Sequence, residues 1–191
     1  MRLVWFEDQT SAGPFSAVVI AVPAPQARLL LGKLDDLAAP LTRVRMMPCW
    51  ALTAAFAKPV LPQQDVFSDM SEVIRWIARN SHKPGRSQGH ETIVVHASPG
   101  YSREAEDVDP EVIAEELWSE VARALSLAAT RPDFMSAQLW RYGLVDQSLG
   151  ESYIFSSRHM VGVTGDWCLG RLAEHAYDSG QALGKAIVNA I

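Results

Sequence analysis

Residues 17–22 read AVVIAV, an unbroken apolar run closed by Pro23. A strand with one face in water alternates apolar and polar residues. A run without alternation belongs to a strand covered on both faces, as in a layered α/β sheet. This run therefore demands a sheet with material packed on either side of it. Upstream, "RLVWFED" reads as a second strand, and the turn formers of "QTSAGP" separate the two. Downstream, "PAPQARLLLGKL" starts a helix. Pro25 suits its first turn, and Leu29 and Leu30 give it a short apolar face before Gly32.

The middle of the chain has a different rhythm. "VRMMPCWALTAAFA" (44–57) is a strand whose Pro48 places its first half at a bulge or an edge. "VIRWIARN" (73–80) and "ETIVVHAS" (91–98) are strands joined by "SHKPGRSQGH", an antiparallel hairpin. Residues 109–128 form the clearest helix. Asp109 can cap its free N–H groups, Pro110 fits the first position, and Ile113, Leu117, Val121 and Leu125 make one buried stripe. "FMSAQLWRYGLV" (134–145) and "RHMVGVTGD" (158–166) are further strands. A last helix opens at about Gly170 and runs to about 190. Ala173, Ala176, Gly180 and Gly184 lie near one of its faces, where small residues allow close packing on a sheet or a ligand. Strands joined by hairpins, with a few helices, give the α+β class with a largely antiparallel sheet.

Composition narrows the function. With 48% hydrophobic and 20% charged residues the chain is globular, and a net charge of −5 argues against nucleic acid. Cys49 and Cys168 have no metal spacing and read as buried small hydrophobes in a reducing compartment. No apolar run can span a bilayer and no signal peptide is visible, so a soluble cytoplasmic protein with no membrane partner is expected. The sequence has no H-E-x-x-H, C-x-x-C or P-loop, and no metal site is expected.

"VTGDWCLGRLAEHAYDSG" (163–180) runs from a strand end through Gly165-Asp166 into a helix start, a shape suited to a polar or anionic ligand. Asp166 reads either as a ligand-binding carboxylate or as a helix-entry cap. His96 reads either as a site residue or as a hydrogen-bonded structural histidine. Arg79, His82, Lys83 and Arg86 form a basic group in the hairpin loop, able to meet phosphates or simply solvated.

"GPFSAVVIAVPAPQARLLL", "PCWALTAAF", "WIARNSHKPGR", "VVHASPGYS", "LWRYGLV" and "GDWCLGRLAEHAYDSGQAL" together resemble, in that order, the later two thirds of FAD-dependent oxidoreductases of the renalase-like flavin amine oxidase group. The resemblance implies a partial FAD-binding α/β domain over 1–40 and 158–191, and an antiparallel-sheet substrate domain over 41–157. It implies FAD as cofactor, with Ala21, Val22 and Pro23 passing near it and Gly165 and Asp166 at its ribityl or pyrophosphate part. The N–H groups of Arg171, Leu172 and Ala173 would lie by the pyrimidine carbonyl. Trp76, Arg86, His96, Trp140 and Tyr142 would face the substrate, with Trp50 beside them. The activity implied is oxidation of a small reduced substrate, a dihydronicotinamide or an amine, by hydride transfer to flavin, with electrons passing on to oxygen. No obligatory acid or base is assigned. The family's G-x-G-x-x-G turn is absent from these residues, so a truncated form is implied. Two other readings follow from that absence: a non-catalytic binding module, or a half-enzyme completed by a separate FAD-binding chain. A homo-oligomer or such a chain is the expected partner.

Overall fold

A computed structural model describes residues 2–86, 89–127 and 130–191. In chain order the elements are β1 (Arg2–Trp5), β2 (Ser11–Phe15), β3 (Val18–Ile20), α1 (Ala24–Leu31), α2 (Asp35–Ala38), β4 (Arg45–Phe56), β5 (Val66–Ser68) and β6 (Ile74–Arg79). Then come β7 (Glu91–Ala97), α3 (Pro99–Glu104), α4 (Pro110–Ala124), β8 (Phe134–Gln147), β9 (Ile154–Ser156), β10 (Val161–Val163) and α5 (Ala173–Val188). The architecture is α+β, as the sequence led us to expect. The chain divides into two compact units, one of residues 1–46 with 144–191, the other of residues 47–143. Residues 41–46 and 144–157 thus fold with the first unit.

The second unit is built on a sheet of order β5-β6-β7-β4-β8. The hairpin is present: β6 and β7 pair antiparallel, Ile77 opposite Val95 and Trp76 opposite His96. β4 lies between β7 and β8, but its first half has no β7 partner, so Pro48 sits at an edge, as expected. It is tolerated because the β7 ladder starts only at Ala51, and Pro48 has no N–H to place there. Period-2 alternation sends Trp50, Leu52, Ala54 and Phe56 to the same side as Ile93, Val95 and Ala97. α4 covers that side with Ile113, Leu117 and Val121, each fully buried. Each such aliphatic side chain contributes about 1.5–3 kcal/mol. Asp109 accepts from Glu111 N at 2.8 Å and so caps the helix as expected. The helix stops at Ala124 with Leu125 as its C-cap, short of 128, which lies outside the described residues.

The first unit has a sheet of order β3-β10-β9 in which β3 runs parallel to β10, with Val19 opposite Gly162. Its core gathers Ala24, Ala27, Leu31, Leu37, Val145, Val163 and Trp167. Five expectations are corrected here. The strand expected over 17–22 is only three residues long, and its two faces are not both covered: it is a sheet edge, and Val19 is 48% exposed. The "QTSAGP" segment is not simply a turn, because Ser11–Phe15 pairs with β1 once residues 6–10 have made the reversal. Leu29 and Leu30 are not the buried face of α1. With Ala24 at its first position, 3.6-residue periodicity brings Ala24, Ala27 and Leu31 inward. The last helix begins at Ala173 rather than Gly170, since Asp166–Cys168 first form a 3-10 turn closed by the Asp166 carbonyl. Its small-residue stripe is not a packing face. Ser179 and Leu183 are the buried positions, and a side-chain carbon at Gly180 or Gly184 would meet nothing within 4 Å.

Candidate functional site

In the first unit the segments expected near a cofactor do meet. The indole of Trp167, 1% exposed, donates from Nε1 to the carbonyl of Val22 at 3.1 Å. It can do so because Gly165 has no side chain: a Cβ there would stand 2.3 Å from Trp167 Nε1. Gly165 therefore ties the end of β10 to the strand–helix junction at Ala21, Val22 and Pro23. Ala21 is exposed, Val22 is half-buried, and Pro23 is the N-cap of α1. Behind the turn, Ser179 of α5 is fully buried. Its Oγ lies 2.6 Å from Thr164 Oγ1 and accepts from Gly165 N at 3.2 Å, locking the helix to the loop.

Asp166 is half-buried, and its Oδ1 accepts from the Trp167 N–H at 2.8 Å. Oδ2 has no partner among the described residues. Arg171 turns its side chain away, donating from Nε to Val145 O at 2.6 Å with Nη2 3.7 Å from Asp146. Leu172 is the N-cap residue of α5. Its N–H is taken by His175 Nδ1 at 3.3 Å, with the imidazole lying over Gly170. Of the three N–H groups expected at this helix start, only that of Ala173 belongs to the helix itself. Those of Ala173 and Glu174 are the open donors of its first turn. A half-occupied carboxylate, a closely approached glycine and two open helix N–H groups fit the hydroxyls and carbonyls of a flavin nucleotide. Ser179 and His175 were not foreseen. A buried serine amid "YDSGQAL" carries no local signal, and His175 became visible only with the true helix start.

In the second unit, alternation separates the expected residues onto two sheet faces. Trp50 is on the core side, 2% exposed, with its Nε1 donating to Ala105 O at 3.0 Å and its N–H to Ser102 Oγ at 3.0 Å. It is a structural residue. The opposite face carries Trp76 and His96, cross-strand partners whose rings lie 5.0 Å apart at 36°. Ala51 continues the row on β4. Trp140 and Tyr142 are exposed on β8. Burial, then the charges of Arg75 and Lys83, hold the His96 imidazole below its usual pKa, in its neutral form. Burial likewise pushes the Cys49 thiol up, against the pull of Arg75.

The basic loop group is divided. Arg86 and Lys83 are exposed. Arg79 is not available to a ligand: its side chain is 6% exposed, and Nε lies 2.6 Å from Glu91 Oε1, itself 3% exposed, in a contact too bent for a hydrogen bond. Its Nη2 donates to Leu61 O and Pro62 O at 2.9 Å, and its Nη1 to Asp65. Glu91 Oε2 accepts from Val60 N and Leu61 N, so the pair pins the 60–65 loop to the sheet. His82 pairs with Asp65 at 2.8 Å. Among the described residues no group of side chains is arranged to hold a metal ion, and no helix is long and apolar enough to cross a membrane.

Residues 1–180 match the family model for flavin containing amine oxidoreductases. Three solved structures illustrate the likeness. Cyclohexylamine oxidase from Brevibacterium oxydans is 13% identical with a TM-score of 0.66, the match covering 96% of this chain and 45% of that one. An engineered triple variant of putrescine oxidase is 13% identical with a TM-score of 0.63, over 98% and 45%. A protein from Exiguobacterium described as a candidate protoporphyrinogen oxidase is 15% identical with a TM-score of 0.63, over 94% and 42%. The chain thus spans less than half the length of the solved structures it matches.

Proposed function

The chain belongs to the flavin containing amine oxidoreductase family, and from that premise we propose that it forms part of an FAD-dependent, renalase-like oxidoreductase acting on a small reduced substrate. In this reading the first unit contributes to the flavin site and the second unit carries the substrate-side sheet face. FAD, when bound, supplies the hydride acceptor. Asp166 accepts from hydroxyls of the cofactor chain. The open N–H groups of Ala173 and Glu174 favour negative charge at the flavin carbonyl side. Trp76, His96, Trp140 and Tyr142 offer flat aromatic surface to the substrate. The observation that carries the reading is the Gly165–Trp167–Val22 tie, which draws two distant sequence segments into one corner around Asp166.

A dihydronicotinamide suits the second unit better than an amine. Arg75 and Lys83 act on His96 with no carboxylate opposing them, and an ammonium group is repelled by such a field. Completion of the flavin site by another polypeptide belongs to the same reading, since the matched structures are more than twice as long as the part this chain covers. The reading is tested by titrating FAD with the 191-residue chain and following quenching of flavin fluorescence, with Asp166→Ala as the variant. Saturable quenching is expected, weakened in Asp166→Ala far more than the urea midpoint is lowered. Equal losses in binding and folding would reduce Asp166 to a turn cap. A non-catalytic binding module is the reading left if no flavin binds, alone or with an FAD-binding polypeptide added.

A further inference from the structure

β10 leaves its sheet abruptly, and two side chains make the departure possible. The parallel ladder between β3 and β10 ends where Thr164 N donates to Ile20 O at 3.1 Å. Such a ladder advances two residues per rung, so the next pair would be Asp166 N–H and Val22 O. Val22 O instead accepts from the indole of Trp167 at 3.1 Å. On the other side of β10, Val163 stands opposite Ile154, the first residue of β9. Two residues further on, the Gly165 N–H has passed the end of β9. Ser179 Oγ accepts from it at 3.2 Å. One indole and one hydroxyl thus stand in for the rungs that would have carried Asp166 onward in the sheet.

The hydroxyl is placed by the packing of α5. Ser179 and Leu183, one helical turn apart, are the buried positions of that helix. Leu183 lies over Gly162, where a Cβ would stand 2.6 Å from its Cδ1, and Ser179 falls at the end of β10. A serine within a helix often spends its hydroxyl on the carbonyl one turn back. Ser179 turns its hydroxyl to the neighbouring strand end, 2.6 Å from Thr164 Oγ1, and is fully buried there. The Cys168 thiol closes the group: burial pushes its pKa up, and a hydrogen bond with Ser179 pulls the other way. An alanine at 179 would leave the Gly165 N–H without its acceptor, and an orphaned donor costs more than the bond itself contributes.

We propose that Ser179 is the positioning residue of the Asp166 corner. By taking the Gly165 N–H it holds the chain off the sheet, keeps Val22 O for the indole, and presents the Asp166 carboxylate to the cofactor chain. Ser179 touches no ligand and acts through Gly165 and Asp166. The inference rests on the flavin reading of the first unit and adds to it a residue on which the carboxylate depends.

The test uses the whole 191-residue chain in a double-mutant cycle of Ser179→Ala and Asp166→Ala, with three readouts: FAD affinity by fluorescence quenching, the urea midpoint, and hydrogen exchange of the Trp167 indole N–H. Ser179→Ala is expected to weaken FAD binding about 10-fold, the scale of one orphaned donor. In the Asp166→Ala background the same change should weaken it by less than about twofold, because the carboxylate it serves is gone. The urea midpoint should fall by the same amount in both backgrounds. Without flavin, the indole N–H should exchange about 10-fold faster in Ser179→Ala, as the Asp166 N–H competes for Val22 O. Ser179→Cys, which keeps a weak acceptor, should fall between serine and alanine in all three readouts. An indole N–H as protected in Ser179→Ala as in the unaltered chain overturns the proposal. So do equal losses of FAD affinity in the two backgrounds, or FAD binding unchanged in Ser179→Ala; any of these leaves the flavin reading standing when the unaltered chain binds FAD. No FAD binding by the unaltered chain overturns both.

Discussion

In the second unit, α4 lays Ile113, Leu117 and Val121 over a sheet face that is closed to water, and Phe56 and Trp118 meet ring to ring at 5.3 Å within it. In the first unit, Leu3, Trp5, Phe6, Val19, Leu29 and Leu30 are apolar too, yet every one of them is around half exposed or more. An open pocket lined by Leu3, Val4, Trp5, Val19, Ala21 and Leu30, among others, runs beside the free edge of β3. The same residue types are therefore used in two ways. In one unit they contribute stability now. In the other they lie open to water, an arrangement common at interaction surfaces.

The contrast can be broken at its most buried point. Glu91→Gln leaves Arg79 charged beneath the sheet and is expected to destabilise the second unit by about 3–5 kcal/mol, read as a lowered urea midpoint. A first unit that unfolds at its former midpoint keeps the two units distinct, whereas equal losses would show one cooperative body. Leu117→Ala should cost the second unit about 2–5 kcal/mol by the same measurement. Leu30→Ser, at 67% exposure, should stay within about 0.5 kcal/mol. Its effect belongs in light scattering instead: the unaltered chain is expected to self-associate at micromolar concentration, and Leu30→Ser to do so less. A clean monomer in both would remove the contact-surface reading.

The smallest effect concerns His96. The folded chain holds its pKa below 6.5, through burial first and then Arg75 and Lys83, while the unfolded chain takes up its proton near 6.5. As pH falls from about 6.5 toward the folded value, the unfolded state binds more protons and stability declines; above 6.5 the contribution is constant. Urea midpoints at stepped pH should show this decline, and His96→Gln should remove it.

What the sequence made legible follows the strength of local pattern. The stripe of α4 and the β6–β7 hairpin were readable because periodicity and turn residues both pointed one way. Trp50 was not, because an aromatic in a strand belongs to one of two faces, and only the register with His96 decides which. Arg79 looked like a ligand-binding cation among its neighbours His82 and Lys83. Its partner Glu91 lies twelve positions away, across the hairpin, and no local pattern announces a buried pair. The start of α5 was misplaced because Gly165-Asp166 can begin a helix or a tight turn, and the Asp166 carbonyl chooses the turn.

β4 and β8 are the two passages by which the chain leaves the first unit and returns to it. On a ribosome, residues 1–46 emerge before the second unit, and residues 144–191 after it. β3, which ends at Ile20, can pair with β10 only once synthesis has passed Val161, which at about 5–20 residues per second takes roughly 5–30 s. During that interval the second unit has all its own strands and α4 and can close. The AVVIAV segment waits as an unmatched apolar edge, the kind of nascent strand that chaperones and neighbouring chains compete to cover.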